Sequence, residues 1–363
     1  MDLFYLGLFF ITLIGFSALL NFLLLRWTRT LGRKNDVSQK EIRWSDEYKP
    51  AIGGISFFMV FIISLLAYFV LVDPDLEKPE VIRQIGIMFC VTLGFFAGLA
   101  DDAFNTVPWL KFAAQFFSGA ILVVFGLTIN FFEVHWMDAL LTIFWTISVM
   151  NSINMLDNMD GVSASVSIFI LACAAICAFP ITESNLFFTL ICGGTTAALI
   201  GFLFFNFNPA RMFMGDTGSQ MLGALLAAVG IVFFWNNDAI LTDHSWYSKI
   251  AIVMTAFVVP IGDSLTVTIN RLLRGQSPFV GGKDHTTHHL SYAGLSEKQV
   301  SLVMIAFSAI SLLLITGLKF IPNLKLSVYV SILFVYSISS IGFLYSTTVW
   351  KKSRTVYQAS QSS

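Results

Sequence analysis

Apolar runs of about 20 residues recur along this chain and limit its possible folds more than any other feature. A run of this length crosses a hydrocarbon core of about 30 Å as one α-helix. Helices are expected because a lipid-embedded backbone must satisfy its hydrogen bonds internally. We therefore predict an all-α, polytopic integral membrane protein with about eleven transmembrane helices. The runs cover 3–25, 52–72, 81–99, 107–126, 137–153, 161–179, 186–205, 217–235, 249–270, 299–320 and 326–347.

The overall composition excludes an ordinary soluble domain. Of 363 residues, 56% are hydrophobic and only 12% are charged, and the mean hydropathy is +0.78. The formal net charge of −1 gives no basic field for nucleic acid, and no nucleic-acid-binding motif is present. Without a linker or an internal repeat, the sequence predicts one transmembrane domain over 1–363, with a short disordered tail at about 351–363.

Lys and Arg are distributed unevenly between alternate loops. Sixteen of the 21 basic residues fall on the side that holds the 26–49 loop and the C-terminal tail. By the positive-inside rule, that side is cytoplasmic. The first run is too long for a signal peptide and lacks a cleavage site, so we expect it to remain as an anchor. The N-terminus is then predicted outside and the C-terminus in the cytoplasm.

Polar and small residues crowd the stretch NFNPARMFMGDTGSQMLG (206–223), between two predicted spans. Asp216, flanked by Gly215 and Gly218, suits a hard metal ion, or a phosphate held by backbone N–H groups at a helix start. Arg211 supplies a matching cation. From this stretch alone, a loop whose aspartate caps the following helix remains an equal alternative.

A second polar stretch, DDAFNTVPWLKFAAQ (101–115), follows the third predicted span. Asp101 and Asp102 cannot both be buried and ionised without a nearby cation. Lys111 is the candidate partner, and Gln115 lies on the same helix face one turn later. The alternative is an acidic turn in water, with Lys111 extending to the membrane boundary.

The stretch NSINMLDNMDG (151–161) carries polar residues at intervals of three at the end of the fifth span. This spacing predicts four polar groups along one side of a helix end. Such groups are costly near lipid unless they face a cavity, which favours a functional role over a capped turn. The four residues are Asn151, Asn154, Asp157 and Asp160.

Asp263 lies inside the ninth predicted span, three residues after Pro260. The proline predicts a kink or break whose freed backbone lines a cavity, and a structural kink with Asp263 paired to a neighbouring helix is the alternative. His285, His288 and His289 follow in the next cytoplasmic loop. They lack the spaced Cys and His frame of a structural zinc site, so phosphate contact is the better interpretation.

All these polar groups fall at predicted cytoplasmic ends of helices. Many carboxylates, a few cations and glycine-bounded turns on one membrane face suit metal-dependent phosphoryl transfer to a lipid-borne substrate. A secondary transporter is the alternative from another class, because broken helices and intramembrane carboxylates also mark ion pathways. The one-sided clustering and the lack of an internal repeat disfavour a transporter.

The motifs resemble those of the polyprenyl-phosphate N-acetylhexosamine-1-phosphate transferases (glycosyltransferase family 4), in the same order along the chain. The stretches at 101–115, 151–161 and 206–223 are joined by PIGD, RLLRGQSPF and DHTTHHL, and by KPAIGGI at 49–55. Asn158 departs from the family, which often has Gly there, and the histidines are spaced H-T-T-H-H. The resemblance implies a bacterial cytoplasmic-membrane enzyme with a cytoplasmic active site. It would move a sugar 1-phosphate from a UDP-sugar to undecaprenyl phosphate and release UMP.

The resemblance also assigns roles to individual residues. Asp216 would bind Mg²⁺, with Mn²⁺ as the alternative ion. Asp101 and Asp102 would deprotonate or position the lipid phosphate. Lys111, the third implied catalytic residue, would contact the diphosphate together with Arg211, His285 and His288. The segment SPFVGGKDHTTHHL resembles the WecA and TagO branch, so UDP-N-acetylglucosamine is the expected donor and UDP-N-acetylmuramyl-pentapeptide the alternative; a homodimer is left open. The implied substrate-binding residues are Asn154, Asp157, Asp160, Arg211, Asp263, His285, His288 and His289.

The predicted orientation can be tested by cysteine labelling in intact cells. The four native cysteines, all within apolar runs, are first replaced. A cysteine at Asn237 should then react with an impermeant maleimide added outside, and a cysteine at Gly282 should not. Equal labelling at Gly282 would contradict the topology, and with it the single-faced site.

Overall fold

The computed structural model describes residues 3–27, 49–178, 183–236, 245–277, 282–317, 321 and 325–350. These ranges form α-helices, with one isolated β-bridge between Ala51 and Phe213. The tail predicted to be disordered and most of the 26–49 loop lie outside the described residues. The helices are α1 Leu3–Trp27, α2 Gly53–Val72, α3 Pro79–Phe104, α4 Pro108–Val124, α5 His135–Leu156, α6 Val162–Cys177, α7 Glu183–Asn206, α8 Gly215–Gly230, α9 Trp246–Ala256, α10 Val258–Leu273, α11 Thr286–Tyr292, α12 Glu297–Gly317 and α13 Leu326–Val349.

The structure confirms a multi-pass membrane protein but supports the count of eleven spans only in part. Among the described residues, eight helices are long and apolar enough to cross a bilayer. They are α1, α2, α3, α5, α7, α12, α13 and α8 together with the π-helical turn at Ile231–Trp235. Two further predicted spans form the shorter apolar helices α4 and α6, of 17 and 16 residues.

The span predicted over 249–270 is broken in the structure. It forms α9 and α10, which meet at an angle of 87° around Phe257. Pro260 lies in the first turn of α10, where its missing N–H removes no helical hydrogen bond. The predicted break is therefore present, and it comes before the proline because a proline is well accommodated at a helix start.

Helix α8 is the central helix of the fold. Of its most apolar 18-residue window, 94% is buried, and it packs against α2, α3, α5 and α6. Glycines on the neighbours allow backbone contact: a Cβ at Gly98 of α3 would lie 2.1 Å from the Asp216 carbonyl oxygen, and one at Gly54 of α2 would lie 2.2 Å from the Gly218 nitrogen. No hydrophobic force drives helices together in lipid. Small residues at the interfaces instead allow the backbones to approach closely and make van der Waals contacts.

The KPAIGGI segment is tied to the loop that leads into α8. The Phe213 N–H donates to the Pro50 carbonyl oxygen at 2.9 Å. The N–H groups of Gly53 and Gly54 donate to the carbonyl oxygens of Phe213 and Met214 at 3.1 and 3.0 Å. Because of this pairing, the start of α2 and the start of α8 lie side by side.

The close helix contacts predict a sharp response to one added methyl group. Gly98→Ala should destabilise the protein by about 1–3 kcal/mol, since its Cβ would collide with backbone that cannot move independently. Gly342→Ala in α13 is the control, because no atom lies within 4 Å of its added Cβ. The measurement is thermal unfolding of both variants in detergent. Equal midpoints for the two would contradict the close packing of α3 on α8.

Candidate active site

The ends of α3 and α5 meet the beginnings of α4 and α8 at one end of the helix bundle. There, Lys111 Nζ lies 2.9 Å from Asp216 Oδ1 and 3.5 Å from Asp101 Oδ2. The three side chains are only 13% to 26% exposed. The lysine therefore forms an ionic bridge between carboxylates from two different helices. Of the two alternatives that the sequence left open, the structure shows the one in which Lys111 is the partner of Asp101.

Asp216 is held by a second donor. The side-chain amide of Asn154 donates to Asp216 Oδ1, and it also donates to Ser219 Oγ at 2.8 Å. Asp216 lies in the first turn of α8, where the positive end of the helix dipole favours an anion. The carboxylate thus has fixed partners from α4 and α5.

Asp102 has a different task from Asp101. Its Oδ1 accepts the Asp216 N–H at 3.0 Å, and its Oδ2 accepts the N–H and the hydroxyl of Thr217 at 2.8 and 2.6 Å. It therefore caps the N-terminus of α8 from a neighbouring helix. The sequence left open that Asp216 itself caps this helix. In the structure Asp102 is the capping residue, and the Asp216 N–H is one of the groups that donate to it.

Asp101 is oriented by the turn after α3. Its Oδ1 accepts the Thr106 N–H at 3.0 Å and also the Thr106 hydroxyl, which leaves Oδ2 facing Lys111. The turn is possible because Asn105 adopts the left-handed conformation, with φ of 50°. The two adjacent aspartates thus have different partners: Asp101 contacts Lys111, and Asp102 binds the N-terminus of α8.

The four polar residues at the end of α5 do not share one side of a helix. α5 ends at Leu156, so Asn151 and Asn154 lie within it, whereas Asp157 is its C-cap and Asp160 follows the helix. The prediction of four aligned groups is wrong for this reason. Asn154 reaches Asp216, as described above.

Asp160 stabilises the loop before α8 instead. Its Oδ2 accepts the Ala210 N–H at 2.8 Å and the Asn208 side-chain amide at 3.3 Å. Lys49 Nζ lies 4.0 Å from the same oxygen, and the Asp160 carbonyl accepts the Ser301 hydroxyl at 2.8 Å. Asp160 thus connects the 206–214 loop, through its carboxylate, to α12, through its backbone carbonyl. A direct role in substrate binding stays a prediction.

A second cluster lies where α10 meets α11. Asp263, which is fully buried, accepts the Thr286 N–H at 2.8 Å and the Thr286 hydroxyl at 2.7 Å through Oδ1. Its Oδ2 lies 2.8 Å from His285 Nδ1. Asp263 therefore caps α11 as Asp102 caps α8, and it does pair with a neighbouring element.

Sequence reasoning missed the ion pair beside this cluster. Asp284 receives a bidentate contact from Arg271, at 3.0 Å from Nε and 2.6 Å from Nη2, and a third contact from Arg274 at 2.7 Å. Burial favours the neutral acid, but the bonds and charge of Arg271 outweigh it and hold the pKa of Asp284 below its usual range. The available signal was an acidic residue directly before the histidines.

The histidines of α11 are buried and neutral. Mainly through burial, the pKa of His288 is lowered to about 3 and that of His289 to about 4, and the neighbouring His285 contributes to both shifts. Nearby, the Thr287 hydroxyl donates to Asn158 Oδ1 at 2.7 Å, which ties α11 to the turn after α5. A contact between these rings and phosphate stays a prediction; as neutral groups they would act through hydrogen bonds.

The structure does not bring Arg211 to Asp216. Its side chain is exposed; Nη2 donates to the Phe204 carbonyl oxygen at 3.1 Å and the guanidinium lies 5.1 Å from the centre of the Phe205 ring. Lys111 takes the place beside Asp216 that the sequence suggested for the arginine. Arg211 as a substrate contact stays a prediction.

The donors present suit a metal ion that also uses substrate oxygens. Within the described ranges, no three Asp, Glu, His or Cys side chains gather as a complete metal site. Mg²⁺ is commonly held by only one or two carboxylates together with substrate phosphates. Asp101 and Asp216, which already share the Lys111 ammonium, form such a carboxylate pair.

Comparisons with known proteins bear on this region directly. Residues 84–234 match a family model described as "Glycosyl transferase family 4". A Bacillus subtilis (strain 168) protein named "probable undecaprenyl-phosphate N-acetylglucosaminyl 1-phosphate transferase" is 27% identical over 283 residues, which are 76% of this chain and 74% of the relative.

Two further relatives carry related names. A Mycobacterium tuberculosis (strain CDC 1551 / Oshkosh) decaprenyl-phosphate N-acetylglucosaminephosphotransferase is 27% identical over 300 residues, 72% of each chain. A Staphylococcus aureus (strain MSSA476) phospho-N-acetylmuramoyl-pentapeptide-transferase is 28% identical over 288 residues, 72% of this chain and 82% of the relative.

The buried histidines predict acid sensitivity. Because their folded-state pKa values lie below the unfolded value of about 6.5, the unfolded state binds more protons and stability falls as pH drops from 7 to 5. Each histidine should contribute on the order of 2 kcal/mol to this fall. The fall should shrink in a His288→Gln, His289→Gln double variant, measured by thermal unfolding at both pH values. The same fall in both proteins would show that the rings are not buried as neutral groups.

Proposed function

We propose, from the premise that this chain belongs to glycosyl transferase family 4, that it transfers N-acetylhexosamine 1-phosphate from a UDP-sugar to a polyprenyl phosphate. The products are UMP and a polyprenyl-diphosphate sugar, which starts a lipid-linked surface glycan. The names of the relatives support both substrate classes. In this proposal the enzyme lies in the bacterial inner membrane with its site at the cytoplasmic face; the distribution of Lys and Arg supports that orientation.

The observation that carries the proposal is the Lys111 bridge between Asp101 and Asp216. Transfer of a phosphoryl group needs cations and N–H donors where negative charge develops on the leaving group. The Lys111 ammonium and the Asn154 amide supply such donors beside the N-terminus of α8. A fixed arrangement of this kind lowers the barrier without reorganisation during the reaction.

Mg²⁺ completes the site in this proposal, with Mn²⁺ as the alternative ion. Asp216, and Asp101 beside it, would hold the ion together with the diphosphate of the donor. When bound, such an ion neutralises the diphosphate and polarises its P–O bonds. The two carboxylates fit this role because both are oriented by other groups, Asp101 by Thr106 and Asp216 by Asn154.

The transfer is a single displacement at the β-phosphorus. An oxygen of the polyprenyl phosphate forms the new P–O bond, and the bond from the β-phosphorus to the bridging oxygen breaks. That oxygen leaves on UMP, where the Lys111 ammonium compensates its charge. An attacking anion that is already positioned needs no covalent enzyme intermediate. A two-step route through an aspartyl phosphate is the alternative.

The donor is UDP-N-acetylglucosamine and the acceptor undecaprenyl phosphate, on the basis of the Bacillus subtilis relative's name. UDP-N-acetylmuramyl-pentapeptide is the second candidate, because the Staphylococcus aureus relative is 28% identical to this chain over 288 residues. Equal concentrations of the two donors offered to the purified enzyme separate the candidates. Preferential transfer from the pentapeptide donor would contradict the assignment of UDP-N-acetylglucosamine as donor, but not the proposed sugar 1-phosphate transfer.

The purified protein should release UMP from UDP-N-acetylglucosamine only when both undecaprenyl phosphate and Mg²⁺ are present. Asp216→Asn should lower kcat by at least about a hundredfold, since it removes a ligand charge without changing size. Turnover is measured as UMP formed per enzyme.

The matched control is Asp73→Asn at the end of α2. Asp73 is exposed and has a φ of 44°, a conformation that asparagine tolerates well. This variant should keep the wild-type rate. Near-normal turnover of Asp216→Asn at ordinary Mg²⁺ concentrations would contradict the metal assignment.

A further inference from the structure

A layer of three neutral amides lies one helical turn deeper than the charged layer. Gln115 follows Lys111 by four residues on α4, Asn151 precedes Asn154 by three on α5, and Gln220 follows Asp216 by four on α8. The same three helices therefore carry two layers: the upper layer contains Lys111 and Asp216 together with the amide of Asn154, and the lower layer contains only amides.

The amides are joined by a directed set of hydrogen bonds. Gln115 and Asn151 exchange bonds: Gln115 Nε2 donates to Asn151 Oδ1 at 3.2 Å, and Asn151 Nδ2 donates to Gln115 Oε1 at 2.9 Å. Gln115 Nε2 also donates to Gln220 Oε1 at 3.1 Å, and Asn151 Nδ2 to the Ile147 carbonyl oxygen at 3.1 Å. Both donor groups are then fully used, and the Gln220 oxygen is the final acceptor.

Gln220 receives this bond at a cost. Its side chain is 1% exposed, and in the part of the chain that the structure describes Nε2 finds no hydrogen-bond partner. A buried donor without a hydrogen-bond partner destabilises a fold, because its desolvation is not compensated. An apolar side chain of the same length would avoid this free-energy cost. Stability alone therefore does not account for glutamine at this position. Its side-chain oxygen, however, accepts the hydrogen bond from Gln115.

The role of the hydrogen bond between Gln115 and Gln220 follows from the packing of α4. This short helix packs mainly against α3 and α5 and has little direct contact with α8. Lys111 and Gln115 are its polar links to α8, reaching Asp216 and Gln220. The depth of α4 relative to α8 is therefore set at the amide layer as well as at the ion pair.

We propose that Gln220 is a positioning residue: through Gln115 and Asn151, it holds α4 and α5 at the depth where Lys111 and Asn154 meet Asp216. This inference rests on the proposed function for its kinetic consequences, but its structural consequence is independent of activity. Groups that orient metal ligands typically change metal affinity or activity by about 10- to 100-fold when removed, and we expect an effect at the lower end of this range for Gln220, which acts through Gln115.

The test compares Gln220→Met with Gln84→Met. Gln84 is a buried glutamine of α3 whose Oε1 likewise accepts one hydrogen bond, from the Tyr68 hydroxyl at 2.8 Å, away from the site. Gln220→Met should lower kcat at least about tenfold with KM for the UDP-sugar within twofold and no loss of thermal stability. Gln84→Met should keep kcat. Gln220→Glu, which retains an acceptor oxygen, should restore much of the rate.

Hydrogen exchange distinguishes failure of this inference from failure of the proposed function. In Gln220→Met, amides at 109–115 should exchange faster than in wild type, even if no UDP-sugar is turned over by either protein. The positioning role is overturned if exchange there is unchanged. It is also overturned if wild type is active and Gln220→Met keeps its kcat, or loses it only with a lowered melting temperature.

Discussion

The ionic contact between Lys111 and Asp216 is the interaction on which the site depends. A carboxylate taken out of water is strongly destabilising unless a cation and hydrogen bonds compensate it. Here one ammonium serves Asp216 and Asp101, and the Asn154 amide completes the set. Because these groups come from α3, α4, α5 and α8, the charges can be buried only when all four helix ends are together.

Capping from a neighbouring helix is the second device that shapes this end of the molecule. Asp102 caps α8 and Asp263 caps α11, and each binds both the N–H and the hydroxyl of a threonine. An aspartate on another helix satisfies orphan N–H groups and fixes where the helix begins. The position of Asp216 thus depends on a helix more than 100 residues earlier in the chain, and that of His285 on the preceding helix α10.

Much of the fold was predictable because lipid imposes length and apolarity on each span. The residues that gather at one end were also found, since polar groups at the ends of apolar runs are conspicuous. Partnerships across helices were not predictable: the exposed Arg211 and the bridging Lys111 look equally suitable in sequence. Asp160 was misplaced because periodicity cannot show that α5 ends at Leu156.

The central claim is that the sugar moves together with its phosphate. It is tested most directly with UDP-N-acetylglucosamine carrying ³²P at the β-phosphate, incubated with the purified protein, undecaprenyl phosphate and Mg²⁺. Displacement at the β-phosphorus beside Lys111 predicts that the label appears in the lipid product and that UMP is unlabelled. Label retained in UDP, with sugar alone on the lipid, would contradict this account.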